Sequence, residues 1–280
     1  MTFLEHIGIE APVVQAGLGG GLSRHELAAA VSEAGGLGTI AVLGAEAIEA
    51  ELTAARALTG GPLAVNLLLP FAEDDWFEAA AAAEVVVTFW GDPQRRTRGV
   101  WIHQCGSVAE ARAAHAAGAD AAIVQGVEAG GHVRGTVPAM ELLERVRAAL
   151  PDDYPLLLAG GIAERDDVRR ALEGGASAAV AGTRFLLSPE SRAHPEYRER
   201  LLGAERTILT ELFGLGWPAP HRVVPNAAVE RPDEGPLPPL APTDDGPPGL
   251  VDDGPLYAGE TVARIGDVRP AAEIVVELTP

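Results

Sequence analysis

The sequence predicts an α/β protein built as a (β/α)8 TIM barrel with a proline-rich C-terminal arm. Eight short apolar runs occur in the first 182 residues, and segments with helical spacing that are rich in Ala, Leu, Glu and Arg separate them. Continuous apolar runs are typical of strands buried on both faces of a parallel sheet. Eight such units within about 220 residues fit this barrel, which has about 250 residues and at least about 200.

The predicted strands leave room for a helix or loop after each of them. They are Val13–Ala16, Leu37–Ala41, Leu63–Leu69, Val85–Trp90, Val100–Gln104, Ala121–Gln125, Leu156–Ala159 and Ala178–Gly182. Two of the intervening helices begin with a capping-box pattern, which pairs Ser23 with Glu26 and Ser107 with Glu110. A doubly wound sheet is the alternative, but the loop Gly17–Gly21 lacks the glycine spacing of a dinucleotide-binding fingerprint.

The chain changes character at about Pro225, so we assign residues 1–224 to the barrel and residues 225–280 to the arm. Nine prolines lie between Pro225 and Pro255, together with Asp-Asp-Gly sequences. This composition is typical of an extended segment rather than of a second core. Leu256–Ile265 and Glu273–Leu278 are more apolar, so we expect them to dock on the barrel. A free tail is the alternative.

Composition and charge exclude several classes of protein. All 21 basic residues are arginine, and the absence of lysine rules out Schiff-base aldolases, lysine-anchored pyridoxal phosphate and P-loop nucleotide hydrolases. The single cysteine, Cys105, excludes cysteine-built metal sites and disulfides within the chain, and no histidine pattern predicts a metal. A net charge of −19 argues against nucleic acid or an anionic membrane as a partner. We recognise no signal peptide or membrane span and expect a cytoplasmic protein, whose oligomeric state the sequence does not indicate.

The glycine-rich loops after the seventh and eighth predicted strands are candidates for a phosphate site. They contain Gly160 with Gly161, and Gly182 with Thr183. Barrel enzymes hold phosphate in these two loops, where glycine lets backbone N–H groups approach the oxygens and a threonine can add a hydroxyl. Tight turns would explain each loop taken singly, but the occurrence of both at these positions favours a phosphate cradle.

The loop after the sixth predicted strand contains the candidate catalytic residue, His132. The interval between predicted strands is longest here, and His132 directly follows Gly130 and Gly131. Long loops at this face of a barrel are commonly functional. The near-neutral pKa of histidine suits proton transfer or binding of an anionic substrate. A solvated surface histidine is the alternative.

Asn66 and Gln125 are polar residues at strand ends, where packing alone would favour apolar ones. Their amides can hydrogen-bond to the ring nitrogens and carbonyls of a planar cofactor, or alternatively to the backbone of a neighbouring loop. Gln15, His103 and Gln104 are weaker candidates of the same kind. Combined with the glycine-rich loops and the histidine, these residues favour a bound phosphorylated cofactor, of which flavin mononucleotide (FMN) fits best.

Several segments resemble the nitronate monooxygenase family. Val124–His132 resembles the VQG-x-EAGGH signature, which is the most specific part of the match. Residues 12–38 resemble the family's first loop and helix, and the sequences LLLAGGI and AGTRFL resemble its two phosphate loops. The resemblance covers residues 12 to about 190. Leu256–Glu260 gives only a faint match, and we assign it no role.

This resemblance implies an FMN-dependent barrel enzyme that oxidises alkyl nitronates, such as propionate 3-nitronate, with molecular oxygen to a carbonyl compound and nitrite. It implies that His132 binds the nitronate and, for neutral nitroalkanes, removes the α-proton. The predicted FMN site comprises Ala16, Gly17, Leu18, Asn66, Gln125, Gly130, Gly131, Gly160, Gly161, Gly182 and Thr183.

Three other functions are left open by the sequence. An FMN-dependent NAD(P)H reductase of the enoyl or quinone type is the main alternative, because such enzymes share the barrel and a similar glycine–histidine loop. A non-catalytic flavin-binding barrel and a flavin-free phosphosugar isomerase or synthase are the others. Fold alone does not separate these functions, so the prediction depends on the loop that carries His132.

Overall fold

Eight parallel strands form the centre of the protein in the computed structural model, which describes residues 1–94, 96–231, 233, 235–247 and 249–280. In chain order, the strands of the protein are β1 (Val13–Gln15), β2 (Gly38–Ile40), β3 (Leu63–Leu68), β4 (Val85–Phe89), β5 (Val100–Cys105), β6 (Ala121–Gln125), β7 (Gly131–His132), β8 (Leu156–Ala159), β9 (Ala178–Ala181), β10 (Ile208–Thr210), β11 (His221–Val224) and β12 (Leu256–Tyr257). The parallel strands are hydrogen-bonded in the order β1–β9–β8–β6–β5–β4–β3–β2. Hydrogen bonds of Leu37 with Val13 and Gln15 join β2 to β1 and complete the barrel.

The barrel confirms the predicted fold class, and every predicted strand coincides with a barrel strand. Small and branched side chains such as Val14, Ala64 and Ile123 form a buried cluster inside the barrel. Their neighbours along the strands, such as Val13 and Val124, pack outside the barrel against the helices. Both faces of the sheet are therefore buried, which explains why the strands appear in the sequence as continuous apolar runs.

Helices surround the barrel and connect most of its strands. They are α1 (Phe3–Ile7), α2 (His25–Glu33), α3 (Ala45–Arg56), α4 (Asp74–Ala80), α5 (Val108–Ala116), α6 (Ala139–Arg147), α7 (Arg165–Glu173), α8 (Thr183–Leu186), α9 (Pro195–Leu202), α10 (Leu250–Asp253) and α11 (Ala271–Leu278). The described residues between β4 and β5 contain no helix. No helix in the described ranges is both long enough and apolar enough to cross a membrane.

Of the two predicted capping boxes, one is half formed and the other is absent: at Ser107 the hydroxyl caps the helix, but the Glu110 carboxylate accepts the Gly106 N–H at 2.8 Å instead of the Ser107 N–H. The Ser107 hydroxyl accepts a 3.2 Å hydrogen bond from the Glu110 N–H at the start of α5. By contrast, α2 begins after Arg24, and its first N–H, that of His25, donates to the Glu51 carboxylate at 2.8 Å. The hydroxyl of Ser23 instead accepts a hydrogen bond from the Leu18 N–H at 3.0 Å, so it fixes the first loop of the barrel rather than a helix.

A second, smaller sheet lies beside the barrel and includes the loop that carries His132. Strand β11 pairs with β10, β12 and β7, in antiparallel fashion, and His221 of β11 lies opposite His132 of β7. Strand β12 belongs to the segment 225–280, so that segment reaches the barrel through this sheet. The division of the chain at residue 224 stays a prediction.

The final helix, α11, lies in the outer layer of the barrel. Its buried residues Ala271, Ile274, Val275 and Leu278 belong to the same apolar cluster as Leu27 and Val31 of α2. Before this helix, the carboxylate of Asp267 accepts a 2.8 Å hydrogen bond from the guanidinium of the buried Arg184. Helix α11 therefore packs against the outer layer of the barrel.

Candidate active site

A cavity of about 420 Å³ opens at the carboxyl ends of the barrel strands. All twelve of the predicted site residues line it, namely Ala16, Gly17, Leu18, Asn66, Gln125, Gly130, Gly131, His132, Gly160, Gly161, Gly182 and Thr183. They converge because the carboxyl ends of parallel barrel strands meet at one rim. Their roles toward a cofactor or substrate stay predictions at this point.

The two glycine-rich loops present free backbone donors to this cavity. Gly160 and Gly161 have φ angles of +105° and +77°, a conformation that side chains with a Cβ rarely adopt. Gly182 and Thr183 form the second loop. In the described part of the chain, no group accepts a hydrogen bond from the N–H of these four residues. Because several unpaired N–H groups belong to residues that line one cavity, this arrangement suits the oxygens of an anionic ligand.

The Thr183 side chain is partly occupied by the C-terminal segment. Its hydroxyl accepts a 2.9 Å hydrogen bond from the Gly259 N–H. A hydroxyl both accepts and donates, so its proton remains available to a ligand. The following helix, α8, has only four residues, so this loop offers individual N–H groups rather than the N-terminus of a long helix.

The first loop of the barrel packs directly on Asn66. A Cβ at Gly17 would lie 2.5 Å from the Asn66 side chain, so only glycine permits this approach. The amide of Asn66 lines the cavity and forms no hydrogen bond with another described residue. It is therefore free to bind a ligand, and so is the amide of Gln104, which lines the cavity as well.

The amides of two other glutamines are engaged by the protein itself. Gln125 donates to the His132 carbonyl at 3.0 Å and accepts from the Arg134 N–H at 2.9 Å, so it positions the loop of β7. Gln15 is fully buried, accepts from the Thr39 N–H at 2.8 Å and does not belong to the cavity lining. Both side chains therefore hydrogen-bond to neighbouring backbone groups, which is the alternative that the sequence left open for such amides.

The imidazole of His132 lies in the cavity wall within an aromatic cluster. Its ring stacks on Trp217 with centroids 3.8 Å apart, and the ring of His221 lies 5.4 Å away. Its Nε2 atom is buried and has no hydrogen-bond partner among the described residues. Burial, together with the charge that His221 carries when protonated, lowers the pKa of His132 to about 3. The imidazole is therefore neutral at physiological pH.

His132 is held by strand pairing rather than by its own side chain. Arg222 of β11 lies opposite Gly131 and donates to the Val127 carbonyl at 2.7 Å, which ties the start of the loop to the second sheet. A Cβ at Gly130 would lie 2.5 Å from the Gly259 nitrogen, so the C-terminal segment packs against the loop from the other side. These contacts place the imidazole in the cavity wall.

Sequence reasoning missed the part of the cavity wall that comes from the second half of the chain. Leu215, Trp217, Leu240, Tyr257 and Gly259 all line the cavity. The Tyr257 carbonyl accepts a 2.7 Å hydrogen bond from the fully buried Tyr197 hydroxyl, which fixes β12 against α9. The faint family match at Leu256–Glu260 was the available signal for this contribution. His103, a weaker candidate, is buried beside Thr88 and is not part of the cavity lining.

The fold and the site define a TIM-barrel enzyme whose active site lies at the carboxyl ends of the strands. The family model described as nitronate monooxygenase matches residues 2–98 and 93–280 of the chain. The chain belongs to the nitronate monooxygenase family, and it is an oxidoreductase.

The chain is similar to one curated protein of this family and to two solved structures. The nitronate monooxygenase of Pseudomonas aeruginosa is 37% identical over 267 aligned positions, which cover 74% of this chain and 76% of that protein. The solved structure of FabK from Thermotoga maritima superposes with a TM-score of 0.86 at 29% identity and covers 98% of this chain and 93% of its own. A nitroalkane oxidase from Streptomyces ansochromogenes superposes with a TM-score of 0.83 at 30% identity and covers 98% and 96%, respectively.

Proposed function

We propose that the protein binds FMN and oxidises alkyl nitronates with molecular oxygen to a carbonyl compound and nitrite. The observation that carries the proposal is the meeting of two features around one cavity. These are the free N–H groups of the loops after β8 and β9, and the unpartnered Nε2 of His132. Membership of the nitronate monooxygenase family supports the same reaction.

The residues of the cavity suit FMN in two ways. The unpaired N–H groups of Gly160, Gly161 and Gly182 would hold the phosphate, because several converging N–H donors bind an anion without a basic side chain. The free amide of Asn66 would hydrogen-bond to the polar edge of the ring system, with the loop from Ala16 to Leu18 beside it. Bound FMN would supply the electron transfer and the reaction with oxygen.

His132 would bind the nitronate as a neutral hydrogen-bond donor. An N–H of its imidazole donates to a nitronate oxygen, and burial strengthens this hydrogen bond because water does not compete for it. The same burial lowers the pKa of His132 to about 3, which makes the imidazole a weak base. Removal of a proton from a neutral nitroalkane is therefore slow, and the site favours substrates that are already in the nitronate form.

The test is nitrite release by the purified protein. We expect a yellow protein, as isolated or after addition of FMN, that consumes oxygen and releases nitrite when an alkyl nitronate is added in air. His132→Asn removes the Nε2 position and should lower kcat/KM about 100-fold or more while FMN remains bound. His115→Asn is the matched control, because His115 is exposed on α5 and lies outside the cavity.

Three results would contradict the proposal or a part of it. A protein that stays colourless after addition of FMN would point to a flavin-free barrel. A flavin that NADH bleaches rapidly under anaerobic conditions, without nitrite release from nitronates, would identify an NAD(P)H reductase instead. Unchanged nitrite release by His132→Asn would show that His132 does not take part in the reaction.

A further inference from the structure

The outer part of the cavity is lined by large apolar side chains that are exposed. Leu43, Phe71, Leu215 and Leu240, which we call the apolar rim, line the cavity and have exposed fractions between 41% and 62%. Single exposed apolar residues are common on protein surfaces, but a group of them around a cavity marks a site of interaction.

The apolar rim is continuous with the candidate catalytic residue. The ring of Phe71 contacts the ring of Trp217 edge to face, with centroids 5.4 Å apart. Trp217 in turn stacks on His132 at 3.8 Å. An apolar surface therefore leads from the opening of the cavity to the imidazole at which the nitronate group is proposed to bind.

The segment that carries Leu215 is fixed by backbone hydrogen bonds. The N–H of Leu215 donates to the Leu237 carbonyl at 3.0 Å, and the N–H of Leu237 donates to the Leu212 carbonyl at 2.7 Å. This part of the apolar rim is therefore formed before a ligand binds, which reduces the entropy lost on binding.

The cavity also lacks a positive charge. The chain contains no lysine, and none of the described residues that line the cavity is an arginine. Both carboxylate oxygens of Glu128 accept the N–H of Ala139, at 2.9 and 3.1 Å, so this acid caps α6. His132 is neutral. A substrate carboxylate in this part of the cavity would therefore lie against apolar side chains without gaining a counter-charge.

We infer that the substrate carries an uncharged alkyl chain of several carbons, which lies along the apolar rim, and that the site discriminates against a second anionic group. The inference rests on the proposed function for the reacting nitronate group only; the apolar subsite follows from the side chains themselves. The site should prefer longer alkyl nitronates to propionate 3-nitronate, because the carboxylate of propionate 3-nitronate would contact the apolar rim. Each methylene added along the rim should strengthen binding about fourfold.

The first test measures binding without catalysis. Isothermal titration calorimetry of the purified protein with 1-alkanols of three to eight carbons should show affinity that rises about fourfold per methylene. Alkanoates of equal length should bind at least about tenfold more weakly than the alkanols. Affinity that does not depend on chain length, or alkanoates that bind as tightly as alkanols, would overturn the inference.

Matched variants locate the binding to the apolar rim. Leu240→Ser should flatten the dependence on chain length, whereas Leu58→Ser should leave it unchanged. Leu58 is a suitable control because it is 58% exposed, against 54% for Leu240, and does not line the cavity. Equal effects of both substitutions would show that the alkanols bind elsewhere.

The second test uses turnover and separates this inference from the proposed function. Across ethyl to octyl nitronate, kcat/KM for nitrite release should rise with chain length, and butyl nitronate should exceed propionate 3-nitronate by about tenfold or more. If the alkanol series behaves as expected but no nitronate is oxidised, the proposed function fails and the apolar subsite stands. If nitronates are oxidised without preference for chain length or charge, the apolar subsite fails and the proposed function stands.

Discussion

At the scale of single residues, the site depends on backbone conformations that only glycine adopts easily. Gly161 has φ +77° and an N–H without a partner among the described residues. Its Cβ position is otherwise open, with the nearest atom of Glu128 at 3.5 Å, so an added methyl group would project beside the proposed phosphate position without a clash inside the protein. The residue is thus constrained by its conformation and by the ligand, not by packing.

Gly161→Ala should therefore weaken FMN binding about tenfold or more and also destabilise the protein. Gly8 is the matched control, because it has the same φ of +77°, ends α1 and does not line the cavity. Alanine in this conformation costs about 1 kcal/mol at either position. Thermal melts and FMN titrations of both variants make the comparison. Equal FMN affinity in the two variants would show that the loop after β8 does not hold the phosphate.

His103 should make the stability of the protein depend on pH. It is buried, and its Nδ1 lies 2.8 Å from the Thr88 hydroxyl, which also accepts a 2.7 Å hydrogen bond from the Trp101 indole. Burial lowers the pKa of His103 to about 4, below its ordinary value of 6.5. Between pH 6.5 and 4 the unfolded chain therefore binds a proton that the native protein excludes. The stabilising contribution of the neutral, buried His103 is fully present above pH 6.5 and is lost as the pH falls from 6.5 to about 4.

His103→Asn keeps a hydrogen-bonding atom near Nδ1 but does not titrate. We expect its free energy of unfolding to fall less steeply between pH 7 and pH 5 than that of the parent protein, as measured by urea denaturation. His115→Asn, which replaces an exposed histidine, should keep the parent slope. If the slope is the same for all three proteins, proton uptake by His103 does not contribute.

At the scale of elements, α11 tests whether the C-terminal segment is part of the barrel structure. Ile274 is fully buried in the cluster shared with α2, whereas Val276 on the same helix is 66% exposed. Ile274→Ala should lower the free energy of unfolding by about 3 kcal/mol. Val276→Ala should change it by less than about 0.5 kcal/mol. Urea denaturation followed by both circular dichroism and tryptophan fluorescence measures both values.

The two signals also show whether the helix unfolds with the barrel. If α11 and the barrel form one cooperative unit, the two transitions coincide and shift together in Ile274→Ala. If the main transition of Ile274→Ala is unchanged, α11 unfolds separately from the barrel, as a loosely attached arm would.

Elements differ in how far the sequence alone predicts them. The barrel strands were predictable because burial on both faces leaves a continuous apolar run, as in Ala121–Gln125. The Ser23 capping box was not, because its hydroxyl accepts the N–H of Leu18, five residues earlier in the same loop, and the capping-box pattern does not reveal this competing contact. The convergence of the glycine-rich loops and His132 was predictable, because barrel topology brings the carboxyl ends of the strands together. By contrast, Trp217 and Tyr257 reach the cavity through pairing within the small sheet, for which the sequence carries only a weak signal.

At the scale of the whole molecule, the C-terminal segment and the barrel share the site. Arg264, in the 3-10 helix Glu260–Arg264, donates to the Asp167 carboxylate at 2.7 Å and to the Gly161 carbonyl at 3.3 Å. The Gly259 N–H donates to Thr183 at 2.9 Å. Both glycine-rich loops are therefore bound by residues that follow them by more than seventy positions, so the geometry of the cavity depends on the folding of the whole chain.

Net charge should govern how fast the substrate reaches this site. The chain carries a net charge of −19, the cavity lining contains no arginine within the described residues, and a nitronate is an anion. Repulsion at low ionic strength should therefore lower kcat/KM, and salt should relieve it, because the Debye length falls from about 30 Å at 0.01 M to about 8 Å at 0.15 M. We expect kcat/KM for butyl nitronate to rise several-fold across this range, while the affinity for an uncharged alkanol of similar length stays nearly constant. A kcat/KM that falls with added salt would instead show that a locally positive field acts at the cavity opening.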